Sequence, residues 1–101
     1  MSFDVDFLRN LLFRLELRQV SPRSTIIIQT QVEAQILGQN KFTITDSLNY
    51  LHELGYIDGP GAEGDDIWLF RKLTPKGDKF VDAARDPRDW QEIKGRRKQN
   101  E

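Results

Sequence analysis

The chain has 101 residues, 38% of them hydrophobic and 31% charged, with a net charge of −1 at neutral pH. That length holds one domain of ordinary size, and no apolar run approaches the ~20 residues of a membrane span. Zero cysteines exclude disulfides, thiolate catalysis and Cys-based zinc sites, and a single histidine leaves most metal and nucleophile–base constellations short of parts.

The spacing predicts a first helix from about Asp4 to Arg18. Val5, Leu8, Leu11, Leu12 and Leu15 recur at three and four residues and form one apolar stripe. Asp4 and Asp6 at the start and Arg14 and Arg18 near the end complement the helix dipole. Phe13 and Leu17 fall off the stripe, so either another part of the chain covers them or they form a partner surface. After Ser21-Pro22, the β-branched run Thr25–Ile28 predicts a short strand. Thr30-x-x-Glu33 reads as a capping box opening a helix with Val32, Ile36 and Leu37 at helical spacing and Gly38 as its stop. A second box, Thr43-x-x-Asp46, opens a helix to about Leu54, with Ile44, Leu48, Leu51 and Leu54 inward. Joined by residues 39–42, the two make a helix-turn-helix.

Tyr56-Ile57-Asp58 starts a strand, and Ile67–Leu73 is the strongest strand in the chain; the G-P-G-A-E-G-D-D between them reads as a loop, giving a hairpin with a long tip. Thr74-Pro75 sets an N-cap with proline at the first helical position, and that helix must stop by Asp86 because Pro87 follows. Asp86-Pro87-x-Asp89 restarts a helix carrying Trp90 and Ile93, expected to fold back onto Phe13 and Leu17, with a free tail as the rival reading. The order helix, strand, helix, helix, hairpin, helix predicts an α+β winged helix-turn-helix over residues 1–86, mostly helical with a small antiparallel sheet. Residues 87–101 add a C-terminal helix and basic tail, packed on the domain or extending from it. Leu8, Leu12, Leu15, Leu48, Leu51, Ile57, Leu69 and Phe80 are expected to form one core.

Few motifs carry chemistry. Gly59-Pro-Gly61-Ala-Glu-Gly64 matches a dinucleotide fingerprint by letter, but a strand follows where a helix N-terminus is needed, and Glu63, Asp65 and Asp66 would repel phosphate. Those three acids lack the spaced loop oxygens of a calcium loop and read as a solvated tip. His52 reads as a boundary residue, and Asp82, Arg85, Asp86 and Asp89 have no nucleophile to activate. No catalytic site, metal, cofactor or small-molecule substrate is expected. The acidic start M-S-F-D-V-D lacks the pattern of a secretory signal, so a cytoplasmic location is expected.

The stretch Leu73-Thr74-x-x-Gly77-x-x-Phe80-x-Asp82-Ala83-x-Arg85-Asp86-x-x-x-Trp90-x-x-x-Lys94 resembles the end of an uncharacterised winged-helix family encoded largely by phages, prophages and their bacterial hosts. The opening Asp4, Asp6, Leu8, Arg9, Leu11 and Leu12 and the turn from Leu51 to Ile57 are also similar to it. Pro75 and Asp78 depart from the family's usual tryptophan and histidine. The resemblance implies a fold and a phage-related setting, with no established activity.

Charge is uneven along the chain: residues 41–66 hold one basic and six acidic groups, and residues 67–101 ten basic and six acidic. A winged helix ordinarily places the second helix of its motif in the major groove of duplex DNA. Here Thr45, Asn49 and Tyr50 are the candidate readers, with Lys41, Arg71, Lys72 and the tail run Lys94, Arg96, Arg97 and Lys98 as candidate phosphate contacts. The acids of that helix and of the tip oppose DNA. The alternative is a protein-interaction module, with Asp46, Glu53, Glu63, Asp65 and Asp66 facing a basic partner and Phe13 and Leu17 supporting a homodimer.

Overall fold

A computed structural model describes residues 4–19, 24–86 and 88. The first helix, α1 (Val5–Arg18), begins where the Asp4 carboxylate accepts from the Asp6 and Phe7 N–H groups. The four leucines of its apolar stripe turn inward as expected, Val5 is half-buried, and Phe7 is buried as well. Next come β1 (Ile26–Gln29), α2 (Thr30–Leu37) and α3 (Lys41–Glu53). Then follow β2 (Ile57–Asp58), β3 (Gly61–Glu63), β4 (Ile67–Phe70), β5 (Lys72–Leu73) and α4 (Pro75–Arg85). Among the described residues the architecture is α+β: four helices and two small antiparallel sheets.

The described strands form two sheets. In the larger, β4 lies between β1 and β3, pairing Ile28 with Trp68 and Trp68 with Ala62. In the smaller, β2 pairs with β5, Ile57 opposite Leu73. The interruption falls at Gly59, where an added Cβ would overlap the Leu69 carbonyl oxygen, and the Arg71 N–H donates to Asp58 O (2.8 Å) across the break. The core lies between α1, α3, α4 and one face of the larger sheet, with Trp68, Phe70, Leu12, Ile44, Leu48 and Val81 fully enclosed.

Several expectations are corrected. The segment 59–66 is not wholly loop, because Gly61–Glu63 pairs with β4 and leaves only residues 64–66 as the tip. Along β4 the inward residues are Trp68 and Phe70, with Leu69 half-buried on the opposite side. Alternation admits one set or the other, and the aromatic pair removes more apolar surface from water. Phe80 is half-buried against Tyr56, and Val81 takes the enclosed position. Neither sequence box caps its helix. Thr30 is already helical and donates to Asp65 O, while α3 starts at Lys41 because the Asn40 side chain accepts from the Thr43 N–H (2.9 Å). On α2, Thr30, Glu33 and Ala34 face inward, and Val32 and Ile36 face solvent. The start of α4 is as read: the Thr74 hydroxyl accepts from Gly77 N–H, with Pro75 at the first helical position.

Candidate functional site

Helix α3 presents three different faces. Ile44, Ser47, Leu48 and Leu51 are buried. A second row leans on the hairpin: Lys41 Nζ donates to the Asp66 carboxylate (2.7 Å), and Asn49 Oδ1 accepts from the indole N–H of Trp68 (2.9 Å). His52 meets the edge of the same indole, with ring centroids 5.5 Å apart. The third face is the solvent pole, where Phe42, Asp46 and Glu53 are exposed, Phe42 at 62%.

These contacts commit the groups expected to read DNA. Trp68 is fully enclosed, and its indole nitrogen can only donate, so Asn49 must offer its carbonyl oxygen. A bidentate contact to adenine needs that same oxygen. The hydrogen bond and charge of Asp66 raise the Lys41 ammonium above the ordinary lysine value and hold it against the hairpin. Thr45 donates to Lys41 O (3.1 Å), and Tyr50 is half-buried against the core. Arg71 reaches the Asp58 carboxylate at 3.6 Å, and Lys72 stands opposite Asp58 across the β2–β5 ladder. Glu63, at the end of β3, and Asp65, in the tip, are exposed. Lys94, Arg96, Arg97 and Lys98, with Trp90 and Ile93 before them, lie outside the described residues.

Off the α1 stripe, Phe13 and Leu17 differ. Phe13 is half-buried beneath the Arg9 guanidinium (4.9 Å to the ring centroid), and Arg9 Nε donates to Ala84 O (3.0 Å). Leu17 is 80% exposed.

Glu33 does something no local pattern announces. Only 3% exposed, it accepts from Arg14 Nε (2.5 Å) and Arg18 Nη1 (3.1 Å), and its hydrogen bond raises the Arg14 pKa against the opposing effect of burial. Arg18 Nη2 also donates to Ile27 O (3.3 Å). A recess of about 180 Å³ lined by Arg18, Gln29, Val32 and Glu33 opens beside this cluster. It is smaller than the ~300 Å³ at which ordinary small-molecule pockets begin.

Sequence reasoning passed over the exposed Phe42, Ile27, Val32 and Ile36. Phe42 was discoverable: with Asn40 as the cap, Phe42, Asp46 and Glu53 recur at four and seven residues and share a face. Neither a comparison with curated proteins nor one with solved structures finds a match. A family described as hypothetical protein (DUF2513) matches residues 2–101. Covering nearly the whole chain, that match makes the protein a member of the DUF2513 family.

Proposed function

We propose that the protein is a non-enzymatic winged-helix module that acts by docking a macromolecule, with α3 and the hairpin tip forming an acidic face for a basic partner protein. The order α1, β1, α2, α3, hairpin, α4 and the strand order β1-β4-β3 support the winged-helix reading. The observation that carries the docking reading is the solvent pole of α3: Asp46 and Glu53 beside an exposed phenylalanine, with Lys41 engaged by Asp66. An apolar anchor flanked by acids suits a basic protein surface and repels phosphate. A phage or prophage setting, implied by resemblance, belongs to the same proposal.

A second reading is regulation through duplex DNA, favoured by the cation excess of residues 67–101. In that reading Lys72 and the tail run carry the phosphate contacts, and α3 does not enter the groove.

Fluorescence polarisation at two salt concentrations separates the two, using a labelled random duplex and a labelled arginine–leucine repeat dodecapeptide. The docking reading expects the peptide to bind the parent and to lose at least tenfold affinity to Asp46→Lys/Glu53→Lys. Steeply salt-dependent binding of the duplex by the parent, with no effect of that double variant on the peptide, overturns it.

A further inference from the structure

Among the described residues the larger sheet ends on β1, and the register fixes which of its backbone groups are open. In an antiparallel ladder, residues that exchange both hydrogen bonds alternate with residues that exchange none. The Thr30 N–H donates to Asp66 O (3.0 Å), which continues the pairing of Ile28 with Trp68 and Ile26 with Phe70 as the bonded set. Ile27 and Gln29 therefore aim their N–H groups, and Ile27 its carbonyl, away from β4. Among the described residues, Arg18 meets that carbonyl and nothing meets the two N–H groups. The Ile27 side chain is half-exposed beside Leu69, its partner across the ladder, while Val32 and Ile36 expose apolar surface on α2.

We propose that this edge accepts an extended acidic–apolar peptide from a partner protein, which adds as a strand along Ile27–Gln29 and places a carboxylate on Arg18. The adding strand supplies main-chain partners for the open groups, and alternate side chains carry the specificity. Charge selects the occupant. Arg14 and Arg18 converge on a single carboxylate, Glu33, leaving one positive charge in excess where Arg18 stands half-exposed. A second copy paired antiparallel about Ile27 would bring two Arg18 guanidiniums together. The chain's own C-terminal run of Lys94, Arg96, Arg97 and Lys98 has the wrong sign as well. A partner strand bearing Asp or Glu meets the excess charge and the apolar row together. The Gln29 end of this edge adjoins the hairpin tip, where Thr30 meets the Asp65 and Asp66 main chain, but none of its contacts uses α3, so it stands or falls without the α3 reading.

The experiment uses a labelled, end-blocked octapeptide of alternating valine and glutamate, its valine–lysine counterpart, and a version of the first N-methylated along one edge. Fluorescence anisotropy of the full chain should show binding of the valine–glutamate peptide alone. Arg18→Gln should weaken it about tenfold, the scale of one charge-assisted hydrogen bond. Ile27→Pro should abolish it while leaving the fold intact, because the Ile27 N–H lies outside the ladder and proline is tolerated on such an edge. If that variant unfolds, loss of binding on N-methylation of the probe gives the same result with the protein unchanged. Equal binding of the valine–lysine peptide, or no binding of either, overturns the proposal. Concentration-dependent dimerisation that Ile27→Pro dissolves would give the edge to a second copy and overturn it too.

Discussion

At the scale of single residues, the contact between Asn49 and Trp68 shows how a side chain can look like a reader and serve as a brace. Trp68, on β4, is fully enclosed, and its indole N–H would be left without a protein partner if Asn49 were removed. Leaving a buried donor unmet costs about 1–3 kcal/mol, and the exposed position of Asn49, where water can enter, places Asn49→Ala at the lower end. Urea unfolding should show that loss, and Asn49→Asp, which keeps an acceptor, should recover most of it. An unchanged midpoint for Asn49→Ala would show that water serves the indole equally well. Glu33 teaches the same lesson from the other side. Its spacing from Thr30 imitates a capping box, yet its partners Arg14 and Arg18 lie 19 and 15 residues away, beyond the reach of a local pattern.

Among the elements, those built on local chemistry were legible. The ends of α1 and α4 follow from Asp4, Thr74, Pro75 and Pro87, and the inward faces of α1 and α3 follow from their leucine and isoleucine spacing. The strands were less legible because pairing is non-local. Gly61-Ala62-Glu63 has no strand character of its own and is extended because β4 lies beside it. Choosing Leu69 over Trp68 and Phe70 is a one-residue slip, which moves every side chain of a strand to its other face. The junction of α4 with the hairpin gives a sharp test. Gly77 sits in the first turn of α4, where an added Cβ would overlap the Tyr56 carbonyl oxygen. Gly77→Ala gains up to about 1 kcal/mol of helix propensity but meets rigid backbone, and overpacking of that kind costs about 1–3 kcal/mol. The variant should therefore melt below the parent. A higher melting temperature would mean that α4 can shift away from the hairpin without loss.

For the molecule as a whole, the decisive property is the separation of charge along the chain, with residues 41–66 at −5 (one basic minus six acidic) and residues 67–101 at +4 (ten minus six). Folding keeps this contrast at α3, since the one cation of residues 41–66, Lys41, is paired with Asp66 while Asp46 and Glu53 stay exposed, although Arg71 lies within ion-pair distance of Asp58 and offsets part of it. A phosphate backbone would then be drawn to the tail and away from α3. Replacing Lys94, Arg96, Arg97 and Lys98 with glutamine takes the net charge from −1 to −5 and leaves the acidic face untouched. If duplex DNA is a ligand, the slope of log affinity against log salt should fall by about 0.9 for each phosphate that the tail no longer neutralises. Binding of a basic peptide to the α3 face should be unchanged or slightly stronger in the same variant. Asp66→Asn should act in the opposite sense. It releases Lys41, lowers the ammonium pKa toward the ordinary lysine value, and should strengthen any DNA binding while weakening the basic peptide. Were the tail variant to bind duplex as tightly as the parent while Asp66→Asn raised affinity sharply, phosphate would be meeting α3 after all. The charge argument for the tail would then be wrong.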